Sequence, residues 1–176
     1  MTAAMLLGLA ASPAAAAPAQ PCTSINCYRY YADLSIVAWS SPSQLPVFPG
    51  STHTYTVQVT NTGWRTGGTT GPVPGIGPDS GPVYVAFIPS APTEYPVSTH
   101  YDFGTQFRCQ GYYSNGLACD TTSLPSGTTS QFTVTFQAPF TPGWYTTTVR
   151  VDPFNWTDYN PNNNVLTLLY QVGYLA

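Results

Sequence analysis

The chain has 176 residues, of which only 6% are charged and none is lysine, and its formal net charge is −3. Its four arginines make no basic footprint, which excludes nucleic acid and anionic membrane surfaces as expected partners. Aromatic residues make up 14% of the chain, so it has apolar surface to bury and is not compositionally disordered; the abundance of Thr, Tyr and Val favours strands.

Residues 1–19 read as a signal peptide. A short apolar core, Met5-Leu6-Leu7-Gly8-Leu9, leads into an Ala-rich run ending in Ala17-Pro18-Ala19, small residues suited to cleavage before Gln20. No basic residue precedes this core, and no other run approaches the ~18 apolar residues of a membrane span. The expected location is therefore secreted, or loosely associated with the cell surface. Residues 20–32 form an N-terminal extension in which Cys22 and Cys27 close a short loop.

From Asp33 to Trp39 the chain alternates as a strand, with Leu34, Ile36 and Ala38 on one face. His53 to Thr60 has strict period two, placing Tyr55, Val57 and Val59 inward and the threonines and Gln58 outward. Residues 64–82, rich in Gly, Pro and Thr, read as a long exposed insertion. Pro82 to Pro89 is the next strand, followed by a Pro-rich segment and an irregular stretch from Tyr101 to Cys109. Asn115-Gly116 marks a hairpin that brings Cys109 and Cys119 to face one another. Gln131 to Gln137, Trp144 to Asp152 and Val165 to Val172 complete the strands.

Four cysteines permit three connectivities. A zinc site is the rival reading, but the chain has no CxxC pair, so disulfides Cys109–Cys119 and Cys22–Cys27 are expected, in keeping with export. Seven or eight short strands without a helical period predict an all-β fold. The expected architecture is one antiparallel β-sandwich with Greek-key connections over residues 33–172.

Three segments carry a family resemblance: Asp33-Leu34-Ser35-Ile36, the strand from Tyr55 ending in Asn61-Thr62-Gly63, and Gly143-Trp144-Tyr145 through Val149-Arg150-Val151-Asp152-Pro153 to Asn163-Asn164. Together they resemble the bacterial CARDB (cell-adhesion-related) domain, an immunoglobulin-like sandwich. Phe107-Arg108-Cys109, Cys119-Asp120, Leu124-Pro125-Ser126-Gly127 and Phe132-Thr133-Val134 are similar to a related bacterial surface-repeat domain. The resemblance implies a non-catalytic role in extracellular binding, adhesion or cell-envelope association, with an extracellular protein or a cell-wall glycan as partner. Its motifs are mostly turn and core residues, so it implies a fold more than a ligand.

No catalytic residue is assigned, and the protein is expected not to be an enzyme. His53 and His100 are the only histidines, and no GxSxG elbow is present. His53 starts a strand and is expected to point to solvent or a turn. Glu94, the sole glutamate, lies in the Pro-rich loop. Asp152, Asp158 and Asn160 offer oxygen ligands of the kind calcium takes, but without EF-hand spacing. Asx-turns in a strand connection are the favoured reading of these residues, and no cofactor is expected. Trp64, Tyr112, Tyr113, Trp156 and Tyr159 fall outside the strand patterns. Such rings either cover the open ends of the sandwich or stack on sugar faces and anchor protein contacts. The second possibility makes a carbohydrate-binding module the alternative reading, and a small hydrolase is less favoured.

Overall fold

Strict alternation builds the core. The computed structural model describes residues 28–41, 46–67, 73–75, 77–101, 107–113, 116–153 and 158–174. The proposed signal segment, Cys22, Cys27 and Trp156 lie outside the described residues. The strands are β1 (Tyr28–Tyr31), β2 (Leu34–Ser41), β3 (Thr52–Asn61), β4 (Trp64–Gly67), β5 (Val73–Pro74) and β6 (Val83–Pro89). They continue as β7 (Tyr95–Tyr101), β8 (Arg108–Tyr113), β9 (Gly116–Thr121), β10 (Thr128–Gln137), β11 (Gly143–Pro153) and β12 (Val165–Val172).

Two antiparallel sheets, ordered β2-β3-β10-β7 and β12-β11-β6-β9-β8, enclose one core, and β1-β4-β5 form a small third sheet. Tyr55, Val57 and Val59 of β3 and Phe132, Val134 and Phe136 of β10 meet Val85, Phe87, Val149 and Val151 of the facing sheet, all essentially without solvent contact. Burying each such side chain contributes about 1.5–3 kcal/mol. In immunoglobulin terms β2, β3, β10 and β7 occupy the places A, B, E and D, while β6, β11 and β12 occupy C, F and G. The β8–β9 hairpin is an addition alongside β6. Cys109 and Cys119 are register partners within it and form a disulfide.

The structure departs from expectation in two segments. Residues 64–82 are not wholly an irregular insertion, because β4 pairs with both β1 and β5. The stretch before the hairpin contributes β7, paired to β10 through a bulge, and β8, whose register shifts between Cys109 and Tyr112. These irregularities break the period-two signal and leave more strands than alternation alone reveals.

Candidate functional site

One end of the sandwich gathers two of the predicted loop aromatics. Trp64, at the start of β4, stacks on Tyr159 with ring centroids 5.4 Å apart and an interplanar angle of 26°. Tyr31 also packs against Tyr159, with ring centroids 5.5 Å apart and tilted by 47°. Backbone geometry sets the position of Trp64. Gly63 has φ +61, a left-handed conformation, and a side chain on Gly77 would meet Gly63 Cα at 2.6 Å and Trp64 N at 2.7 Å. The Trp64 indole N–H donates to Asp33 Oδ2. Asn61 is buried and ties the same end together, accepting from Asp33 N at 3.2 Å and donating to Leu124 O at 2.9 Å.

Tyr112 and Tyr113 do not join this group. Their backbones pair with Leu117 and Gly116 at the hairpin tip. Leu117 lies opposite Phe87 and Thr121 opposite Val83, so the tip runs toward the Pro89 end of β6. Trp64 and Tyr159 sit at the Val83 end, where Asn61 reaches Leu124. The backbones of Tyr112 and Tyr113 therefore lie toward the opposite end of β6 from Trp64 and Tyr159.

The oxygen-bearing residues of the β11–β12 connection are engaged with protein donors. Asp158 Oδ2 accepts from Leu34 N at 2.8 Å and from Asn164 Nδ2 at 3.2 Å, and its Oδ1 accepts from Asn160 N at 2.8 Å. This last bond is an Asx-turn. Burial raises the Asp158 pKa above its ordinary value, an effect these hydrogen bonds oppose and the Asp33 charge slightly reinforces. Asp152 is held on the outer sheet face by the Arg150 guanidinium. Among the described residues no group of three His, Cys, Asp or Glu side chains converges as a metal site. One carboxylate oxygen, Asp33 Oδ1, is buried without a hydrogen-bond partner.

His53 departs most from expectation. It is 2% exposed and points into the sandwich, not to solvent, where it meets Glu94, which is 0% exposed. His53 Nε2 lies 3.2 Å from Glu94 Oε1 and 2.9 Å from the Tyr55 hydroxyl. Tyr55 and Thr147 hydroxyls each reach Glu94 Oε1 at 3.2 Å, and the Tyr170 hydroxyl donates to Oε2 at 2.8 Å. Three hydroxyls and a ring nitrogen thus converge on one carboxyl group. His53 Nδ1 has no partner; a bare lone pair costs less than a bare N–H, so the network assigns the proton to Nε2. Burial, reinforced by the Glu94 charge, drives the Tyr55 and Tyr170 hydroxyls far above their ordinary pKa, keeping them as donors. Tyr55 (β3) also bonds Thr147 (β11) at 2.8 Å. This link joins the B and F strands, where antibody domains place their inter-sheet disulfide.

The two outer sheet faces differ. On β12-β11-β6 the exposed residues include Trp144, Leu169, Ile88 and Val165, beside the Arg150–Asp152 pair. The face of β2-β3-β10-β7 carries rows of hydroxyl and amide side chains. In these rows Thr56 bonds Thr133 at 3.3 Å, Gln58 bonds Gln131 at 2.6 Å and Thr60 bonds Thr129 at 2.8 Å.

No family model and no curated protein matches the sequence. Among solved structures, the chain is similar to the CARDB domain of a Pyrococcus furiosus protein, with 20% identity and a TM-score of 0.48 over 81% of this chain and 95% of that one. It is also similar to a non-cellulosomal cohesin from Archaeoglobus fulgidus, with 13% identity and a TM-score of 0.47 over 81% and 92%. AvmM, which catalyses a macrocyclization in alchivemycin A biosynthesis, aligns at 12% identity and a TM-score of 0.41 over 81% and 90%. The immunoglobulin-like architecture of the chain rests on its own strand order.

Proposed function

We propose that this chain is an exported, non-catalytic module that binds an extracellular protein or a cell-wall glycan. The observation that carries this reading is the segregation of its chemistry. His53 and Glu94, a pair capable of acid–base work, are sealed in the core, whereas the sheet faces and loops present aromatic, hydroxyl and amide groups to solvent. The Cys109–Cys119 disulfide supports an oxidising compartment. Among the described residues no helix is long and apolar enough to cross a membrane.

The test is retention of the oxidised protein on washed bacterial cell-envelope preparations, run at low and high salt beside a panel of hydrolase substrates. Saturable retention that changes little with salt is expected from so weakly charged a surface. Absence of retention, or hydrolysis abolished by His100→Ala at an unchanged melting temperature, would overturn the reading.

A further inference from the structure

We infer that the outer face of the β2-β3-β10-β7 sheet is a binding surface for an uncharged polysaccharide, laid diagonally between Trp39 and Tyr95. This rests on the binding-module reading and adds to it a place and a ligand class. None of the residues of these four strands is Asp, Glu, Lys or Arg. These strands therefore offer no carboxylate, ammonium or guanidinium group of their own to an acidic or basic partner, and none that a neutral one would have to desolvate.

The face is organised. Trp39 on edge strand β2 is 42% exposed and shares a row with Thr56, Thr133 and His100 across the sheet. Tyr95 on the opposite edge strand β7 is 44% exposed and shares a row with Gln137 and Thr52, where its hydroxyl bonds Gln137. From strand spacing and rise, the two rings stand roughly 20 Å apart along the diagonal. That is long enough for several sugar units. Thr54 and Thr135 are register partners on the line between them. A threonine hydroxyl has one donor and two acceptor sites, so the cross-strand bonds use only part of its capacity. Aromatic rings at two corners with hydroxyls between suit a chain of sugar rings, whose faces are apolar and whose edges are hydroxylated. A protein interface places its apolar groups at the centre and its polar groups at the rim, the reverse of this arrangement.

The experiment measures binding of the oxidised protein to cellulose, chitin and β-1,3-glucan, with heparin as a charged control. Wild type, Trp39→Ala, Tyr95→Ala and Leu169→Ala are compared, the last altering the opposite face, and folding is checked by melting temperature. The expected result is salt-insensitive binding to at least one neutral polymer but not to heparin. It should weaken about tenfold in Trp39→Ala and in Tyr95→Ala, the loss typical of an aromatic anchor, and stay unchanged in Leu169→Ala. Binding to none of the three polymers, or binding unchanged in Trp39→Ala, overturns the inference. So does a Trp39-dependent dimer in light scattering without polysaccharide retention, which would assign the face to a second copy. Envelope retention that survives Trp39→Ala sinks this inference and leaves the binding-module reading standing, whereas loss of all retention sinks both.

Discussion

A single buried carboxylate shows how much one residue's surroundings decide. A carboxyl group buried without partners is costly, and Glu94 is accommodated because Tyr55, Thr147, Tyr170 and His53 all turn toward it. Removing the acceptor strands those donors, so Glu94→Ala should cost at least about 1–3 kcal/mol in urea unfolding. Tyr55→Phe, which deletes one donor, should cost about 1–3 kcal/mol. An unchanged midpoint in Glu94→Ala would mean the cluster is structurally idle. Asp158 gives a signed pH effect. Its folded pKa stands above the unfolded value of 3.8 because burial penalises the charge. The fold therefore holds this proton to higher pH than the unfolded chain does, and the group's contribution to stability declines as pH rises from 3.8 through the raised value. The melting temperature of wild type minus that of Asp158→Asn should fall across that window and then level off. A difference that rises with pH would contradict the burial assignment.

Elements differ in how openly they announce themselves. β3 and β10 alternate without interruption and pair residue for residue from Thr52–Gln137 to Asn61–Thr128, so their inward and outward faces were legible except at His53, whose ionisable ring was assigned to solvent although it continues the inward row. β7 was not, because it contains Pro96 and meets a bulge at Thr135/Phe136. β4 was not, because Trp64–Gly67 is too short to show a period and acquires its partners from β1 and β5. The hairpin was legible, since a turn signal and two cysteines act locally. Replacing Cys109 and Cys119 together by Ser should lower stability by about 3 kcal/mol, the loop-closure entropy the disulfide removes from the unfolded chain. Calorimetry would register this as a lower melting temperature, and no change would show that the hairpin is ordered without its link. Gly63→Ala imposes a side chain on a backbone at φ +61 against Ser126 and Gly77. It should cost about 2 kcal/mol or more and loosen the Trp64–Tyr159 stack, read as altered tryptophan fluorescence.

For the whole molecule, the Tyr55–Thr147 bond and the shared aromatic core couple the two sheets, so they should unfold in one step. Far-ultraviolet circular dichroism and tryptophan fluorescence should give one coincident urea midpoint. Two separated midpoints would mean that the sheets melt independently.

The sequence by itself determined the all-β sandwich, most of its inward-facing residues and the Cys109–Cys119 hairpin. Period-two alternation and turn chemistry act between neighbours in the chain. Only the tertiary structure decided that His53 and Glu94 meet inside the core, that Trp64 stacks on Tyr159 while Tyr112 and Tyr113 lie toward the other end, and that four charge-free strands share one face. Each of these depends on which strands pair and in what register. That is settled by packing between residues far apart in sequence, whose side chains carry no local sign of the neighbours they will find.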